Sequence, residues 1–144
     1  MNDETVQELE RKKRYLKRYR KNEALIARLK TKLAYTNDRI YGLRASSLSG
    51  MPRGGEPITL EDLVADKQEL EARIDRLNEK GRKLRAEILE RIDDLDDPRY
   101  AEILESFFID CKDFETIAEE IGFTERHVIR LYSEGILALS VSCQ

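Results

Sequence analysis

Two stretches of the sequence carry apolar residues at the spacing of long helices that pack as a coiled coil. In residues 59 to 95 leucines recur every seven positions, with isoleucines at alternate steps; the apolar set is Leu63, Leu70, Ile74, Leu77, Leu84, Ile88, Ile92 and Leu95. Residues 4 to 45 carry a matching stripe, formed by Leu16, Tyr19, Ile26, Leu29, Leu33, Ile40 and Leu43. Apolar residues three and four positions apart share one face of a helix, so each stretch predicts a long helix that needs a partner.

The segment between these two helices predicts a reversal of the chain. Residues 46 to 58, SSLSGMPRGGEPI, are rich in Ser, Gly and Pro, which do not continue a helix. Thr59 and Asp62 then have the spacing of a capping box at the start of the second helix. The economical arrangement is an antiparallel helical hairpin over residues 1 to 96. Because two helices alone leave their outer faces uncovered, we expect the hairpin to assemble into a homo-oligomer, with a dimer favoured.

A different pattern begins after the second helix and predicts a domain of three short helices over residues 97 to 144. Asp97 directly precedes Pro98, which is the order expected for an N-cap residue and the first residue of a helix. Asp113 and Thr124 are suited to cap the two helices that follow. The predicted fold class is therefore all-α, with a long antiparallel helical hairpin followed by a three-helix helix-turn-helix domain.

The stretch FETIAEEIGFTERHVIRLY, residues 114 to 132, has the spacing of a helix-turn-helix motif. This motif needs a small residue where its helices cross and a residue that tolerates positive φ in the turn, and Ala118 and Gly122 supply these. It also needs apolar residues that hold the second helix against the first, and Val128 and Leu131 stand at the required positions. The spacing predicts that the last helix, which begins near residue 125, reads DNA.

The motif also carries a family resemblance. ETIAEEIGFTERHVIRLYSEGILAL, residues 115 to 139, resembles the final DNA-reading helices of sigma-factor region 4. Together with the SGMPRGG loop and the preceding long helices, it resembles a group of small transcriptional regulators of phages and mobile elements from Gram-positive bacteria. The resemblance covers residues 15 to 139 and implies binding of double-stranded DNA in a bacterial host.

Charge is distributed unevenly along the chain. Residues 1 to 57 carry 14 Lys and Arg against 7 Asp and Glu, whereas residues 58 to 144 carry 12 against 22. Residues 98 to 144 hold four basic residues against nine acidic ones, but Arg126 and Arg130 of the proposed recognition helix are four apart and share one face. Arginine suits a guanine edge, and glutamate suits the cytosine amine. The predicted DNA-contacting set is Thr124, Glu125, Arg126, His127, Arg130, Ser133 and Lys112.

Residues 11 to 21, RKKRYLKRYRK, hold eight basic residues, for which two interpretations remain open. The charges could contact DNA phosphates, or they could pair with the acidic stretch EILERIDDLDD at residues 87 to 97 of the second helix. Tyr15 and Tyr19 are interpreted as residues of the apolar seam. The candidate phosphate contacts are Arg11, Lys12, Lys13, Arg14, Lys17, Arg18, Arg20 and Lys21.

The sequence offers little for catalysis or for cofactor binding. His127 is the only histidine, and neither a Cys/His cluster with zinc spacing nor a phosphate-binding glycine loop occurs. We therefore expect no enzyme activity, no cofactor and no metal. Cys111 and Cys143 are expected to be free thiols in a reducing cytoplasm, and no apolar run approaches the roughly 20 residues of a membrane-spanning helix.

Two alternatives to a transcriptional regulator remain open. A subunit resembling the small terminases of DNA packaging would also join a helix-turn-helix to helical oligomerisation hairpins, although its DNA-binding head usually comes first. A protein-interaction module would instead bind host RNA polymerase or another regulator through the acidic residues of the last three helices. The mass of the assembly separates these functions, because a ring of about eight or more subunits favours packaging and a dimer favours regulation.

Overall fold

The computed structural model of the protein describes residues 2–49 and 59–141. Five helices and no strand occur in these ranges: α1 (Asp3–Ser49), α2 (Leu60–Asp93), α3 (Pro98–Phe108), α4 (Phe114–Ile121) and α5 (Glu125–Ala138). The predicted all-α fold class is confirmed. Residues 46 to 49, which were predicted to begin the loop, belong to α1 instead, since the first Gly or Pro of that segment comes only at position 50. The remainder of the predicted loop, up to residue 58, lies outside the described residues.

Side-chain caps fix where the helices begin. At the start of α1, the Asn2 side-chain oxygen accepts a hydrogen bond from the Thr5 N–H at 2.8 Å. The predicted capping box of α2 is confirmed, since the Thr59 N–H donates to Asp62 Oδ2 at 3.3 Å and the Asp62 N–H donates to Thr59 Oγ1 at 3.1 Å. The predicted N-cap residues of α3, α4 and α5 also accept hydrogen bonds from backbone N–H groups of the first turn. These N-cap residues are Asp97, Asp113 and Thr124.

The chain forms two compact units, and α1 and α2 contribute to both of them. We call Met1–Asn22 together with Gly81–Gln144 the head unit, and Glu23–Lys80 the arm unit. The predicted domain boundary after residue 96 therefore falls inside the head unit. The physical reason is that one apolar core runs through α1, α2 and the three short helices. Its buried residues include Leu9, Leu16, Ile88, Ile92, Ile103, Leu104, Phe108, Ile117, Val128, Leu131 and Ile136.

Within each unit, α1 and α2 pack against each other in opposite directions. In the head unit Arg18 pairs with Glu87 at 3.1 Å, while the earlier Arg11 and the later Arg91 line one hollow. In the arm unit the predicted apolar stripes meet, and the residues of this cluster are Leu25, Ile26, Leu29, Leu33, Leu70, Ile74 and Leu77. None of the helices described is long and apolar enough to cross a bilayer. Cys111 is a free, exposed thiol, and Cys143 lies outside the described residues.

Candidate nucleic-acid interface

The turn between α4 and α5 has the backbone geometry that the helix-turn-helix spacing predicted. Gly122 ends α4 with φ of +76°, in the left-handed region that favours glycine. The N–H groups of Gly122 and Phe123 both donate to the Ala118 carbonyl, at 3.0 and 3.1 Å. Val128 and Leu131 are buried, as the motif requires. Since these residues hold one side of α5 against the core, the other side of the helix is exposed.

A close approach between α3 and α5 fixes the position of α5 further along the chain. Gly135 is buried inside α5, and a Cβ atom at this position would lie 3.0 Å from the Tyr100 Cβ. The Tyr100 hydroxyl also donates to Glu134 Oε2 at 3.0 Å, and this hydrogen bond raises the pKa of Tyr100. The absence of a side chain at Gly135 therefore lets the two helices pack closely, a role that the helix pattern alone did not indicate.

The outward side of α5 brings together most of the predicted DNA-contacting residues. Thr124, Glu125, Arg126 and Arg130 are exposed, and Ser133 is half-buried. Thr124, Arg126 and Arg130 line one hollow at the start of the helix, together with His127. The two guanidinium groups therefore lie on the same accessible surface, one helical turn apart. Thr124 is also the N-cap, because its Oγ1 accepts from the His127 N–H at 3.1 Å.

Two of the predicted residues make contacts of a different kind. The His127 ring stacks on Phe123, with the ring centroids 4.7 Å apart and the planes 10° apart. Its Nε2 atom is buried without a hydrogen-bond partner. The Lys112 Nζ donates a hydrogen bond to Glu120 Oε2 at 2.8 Å, and this hydrogen bond raises the pKa of Lys112. Lys112 does not line the hollow of α5.

One residue of this surface was missed by the sequence analysis. Ile129 is 41% exposed, although large aliphatic side chains are among those most often buried. It stands one turn after Glu125 and one turn before Ser133, outside the buried stripe that contains Val128 and Leu131. Its helical position was the available signal, because a residue one position after Val128 and two positions before Leu131 points to a different side of the helix.

The basic segment of α1 belongs to the head unit, and Lys12 is its most buried basic residue. Lys12 is 5% exposed, and its Nζ donates to the Leu137 carbonyl at 2.8 Å. It also lies 3.2 Å from a Glu8 carboxylate oxygen. Leu137 belongs to the last turn of α5, where carbonyl groups lack partners within the helix. Lys12 therefore has a structural partner and is not placed to contact a phosphate.

Three other basic residues of the segment pack on neighbouring side chains. The Lys13 Nζ lies 5.7 Å from the centroid of the Tyr132 ring, and the Arg20 guanidinium lies 4.1 Å from the centroid of Phe107. Arg18 combines its ion pair to Glu87 with a position 4.3 Å from the Tyr15 ring centroid. The predicted pairing with the acidic stretch of α2 is thus confirmed for Arg18. Tyr15 and Tyr19 pack against the apolar core, as their interpretation as seam residues requires.

The remaining basic residues of the segment point to a more accessible side of α1. Arg14 and Lys21 are exposed, and Lys17 is half-buried. Their spacing of three and four residues places them along one side of the helix. Arg11 is half-buried and lines a hollow beside the end of α5. Phosphate contact by the segment therefore remains a prediction for Arg14, Lys17 and Lys21 in particular.

Comparison of the chain with protein-family models, with curated proteins and with solved structures finds no match. The resemblance to sigma-factor region 4 and to the phage regulators therefore depends on the residues of the motif itself. Across residues 2–49 and 59–141, no group of three or more His, Cys, Asp or Glu side chains is arranged to hold a metal ion.

Proposed function

We propose that the protein binds double-stranded DNA at specific sequences and regulates transcription of phage or mobile-element genes. The observation that carries this proposal is the exposure of Arg126 and Arg130, one turn apart, on the second helix of the helix-turn-helix. A recognition helix in the major groove presents such side chains to base edges, and arginine pairs with O6 and N7 of guanine. The regulatory role follows from the resemblance to sigma-factor region 4 and the phage regulators.

The three accessible basic residues of α1 support the proposal, because they offset the acidic character of the short helices. Residues 98 to 144 hold four basic residues against nine acidic ones, whereas affinity for DNA depends on neutralising phosphates. Arg14, Lys17 and Lys21 add positive charge within the same compact unit. In the proposed complex, α5 supplies the sequence-dependent contacts, and these three residues supply contacts that any sequence would make.

The arm unit is proposed as the region of self-assembly, with a dimer as the favoured state. Two large aromatic side chains are unusually accessible there, since Tyr35 is 64% exposed and Tyr41 is 77% exposed. A dimer would present two recognition helices to two half-sites of an operator. Light scattering of the full chain measures its mass, and a ring of about eight or more subunits would instead favour a packaging subunit.

The sharpest test of the proposed function is a selection of DNA fragments by the full-length protein. Genomic fragments bound at moderate salt are sequenced, and we expect one enriched palindrome whose half-sites are about 10 base pairs apart, or a multiple of this distance. The matched control is a selection with Arg126→Ala/Arg130→Ala, which should recover fragments without a common sequence. A parent protein that enriches no sequence over this control would rule out sequence-specific binding.

The acidic surface of α4 favours one second candidate, a protein-interaction module. Glu115, Glu119 and Glu120 are all exposed on this helix, and such a surface would repel DNA but suit a basic partner. Host RNA polymerase is the partner to test, by measuring its binding to the purified chain. If this candidate is correct, Glu115→Gln/Glu119→Gln weakens that binding, whereas Arg126→Ala/Arg130→Ala leaves it unchanged.

A further inference from the structure

We propose that Ile129 contacts the methyl group of a thymine in the major groove, and that this contact makes an A·T pair part of the recognised site. The inference deepens the proposed function and depends on it, because it assigns a specific chemical target to a residue of α5. It adds an apolar contact to the hydrogen bonds expected of the two arginines.

The exposure of Ile129 is the first observation behind this inference. The described residues contain only a few large apolar side chains that are exposed, namely Val6, Tyr35, Tyr41, Leu60 and Ile129. Ile129 is the one that lies in the helix-turn-helix. The core beneath α5 is already closed, since Val128 is 0% exposed and Leu131 is 1% exposed. The side chain of Ile129 is therefore not needed to fill the core of the head unit.

The position of Ile129 on the helix is the second observation. Glu125, Ile129 and Ser133 follow one another at intervals of four and form a row along α5. Arg126 and Arg130 form the adjacent row, shifted by one residue. If the arginines enter the major groove, Ile129 enters it beside them, with an apolar surface between two polar neighbours of its own row.

The chemistry of the major groove restricts what such a side chain can recognise. Isoleucine has no hydrogen-bond donor or acceptor, so it gains nothing from the O6, N7 and amino groups of the bases. The thymine C5-methyl is the apolar group that base pairs present in this groove. Contact between the isoleucine side chain and the thymine methyl removes apolar surface of both groups from water. Burial of one methyl group corresponds to a change in affinity of about fourfold.

Replacement of thymine by deoxyuracil tests the contact directly, because it removes the methyl group and leaves the pairing edge unchanged. In the fragment selected by the full-length protein, each thymine is replaced in turn, and the dissociation constant is measured by fluorescence anisotropy. The parent protein should lose about fourfold in affinity at one position of each half-site and be unaffected at the others. Ile129→Ala should bind the thymine and uracil forms of that position equally.

A matched control is provided by Val6→Ala, which shortens another exposed aliphatic side chain outside the helix-turn-helix. Val6 is 43% exposed in α1, so this variant should keep the thymine preference of the parent. Circular dichroism should give the same helicity for all three proteins, because neither substituted side chain is buried.

The outcomes separate this inference from the proposed function. If the parent selects a sequence but binds the thymine and uracil forms equally at every position, the methyl contact is wrong and DNA recognition stands. The same conclusion follows if Ile129→Ala keeps the thymine preference. If the parent selects no sequence at all, the proposed function fails, and the inference fails with it.

Discussion

Lys12 and Leu137 are joined by a hydrogen bond, although 125 positions separate them in the sequence. The Lys12 ammonium donates to a carbonyl in the last turn of α5, where the helix itself provides no donor and where the helix dipole favours a positive charge. The basic segment of α1 thus stabilises the C-terminal end of the helix that carries the proposed DNA contacts.

This hydrogen bond predicts a large effect of a single substitution. Lys12→Met keeps most of the apolar stem but removes the charge and the donor. It should lower the free energy of unfolding by about 1.5 to 3 kcal/mol, as expected for a hydrogen bond with a charged partner. The control is Lys21→Met, which alters an exposed lysine of the same segment and should change stability by less than about 0.5 kcal/mol. Urea unfolding measures both variants, and equal midpoints would contradict the structural role of Lys12.

The continuous core of the head unit predicts that the three short helices do not fold alone. A fragment of residues 97 to 144 lacks Leu9, Leu16, Ile88 and Ile92, which are buried in the same core as the residues of α3, α4 and α5. It should show reduced helicity and no cooperative thermal transition, whereas the full chain should show one. A fragment that melts cooperatively at the temperature of the full chain would mean that α1 and α2 are dispensable for the head unit.

The buried Tyr132 ring predicts a loss of stability at alkaline pH. Burial raises the pKa of the Tyr132 hydroxyl to about 12, with Glu10 acting in the same direction and Arg20 opposing it. The ordinary value of 10.0 applies to the unfolded chain, so the folded state holds the proton more strongly. The stability that the protonated Tyr132 hydroxyl contributes is therefore fully present below pH 10 and is lost as the pH rises toward 12. Between pH 10 and pH 12, urea unfolding should show that Tyr132→Phe loses less stability than the parent. Equal losses in the two proteins would contradict the assignment of the alkaline stability loss to Tyr132.

The accessible basic residues of α1 predict a change in the salt dependence of binding. Replacing Arg14, Lys17 and Lys21 by Gln should weaken binding to the selected fragment and to unrelated DNA by the same factor. The slope of log affinity against log salt should fall by about 0.9 for each phosphate contact removed. The folded state should be unaffected, since these side chains are the more accessible ones of the segment. If the slope of log affinity against log salt is unchanged, the basic segment contributes to folding and not to phosphate contact.

The features that sequence analysis predicted correctly are those that depend on neighbouring residues. Asp113 and Thr124 cap their helices through backbone groups three residues away, and Gly122 provides a positive φ within a single turn. The apolar stripes of α1 and α2 follow from helical periodicity in the same way. Such features need no knowledge of the remainder of the fold.

The features that the sequence did not reveal depend on contacts between distant segments. Charge patterning offered DNA phosphates or the acidic stretch of α2 as partners of residues 11 to 21, but long basic side chains can also bury their stems and direct their charges to a distant carbonyl or aromatic ring. Lys12 and Arg20 do this, with Leu137 and Phe107 as their partners. The core of the head unit also includes residues on both sides of Leu95, and a local change of pattern near that residue does not reveal such a shared core.

The most direct test of the account is the affinity of two arginine variants for the fragment that the parent selects. Arg126→Ala and Arg130→Ala should each cost about 1 to 3 kcal/mol of binding free energy at that site, with smaller effects on unrelated DNA. Arg85→Ala, which alters an exposed arginine of α2, should bind as the parent does. All three variants should unfold at the same urea concentration as the parent. If both α5 variants bind the selected fragment as tightly as the parent, α5 is not the DNA-reading helix.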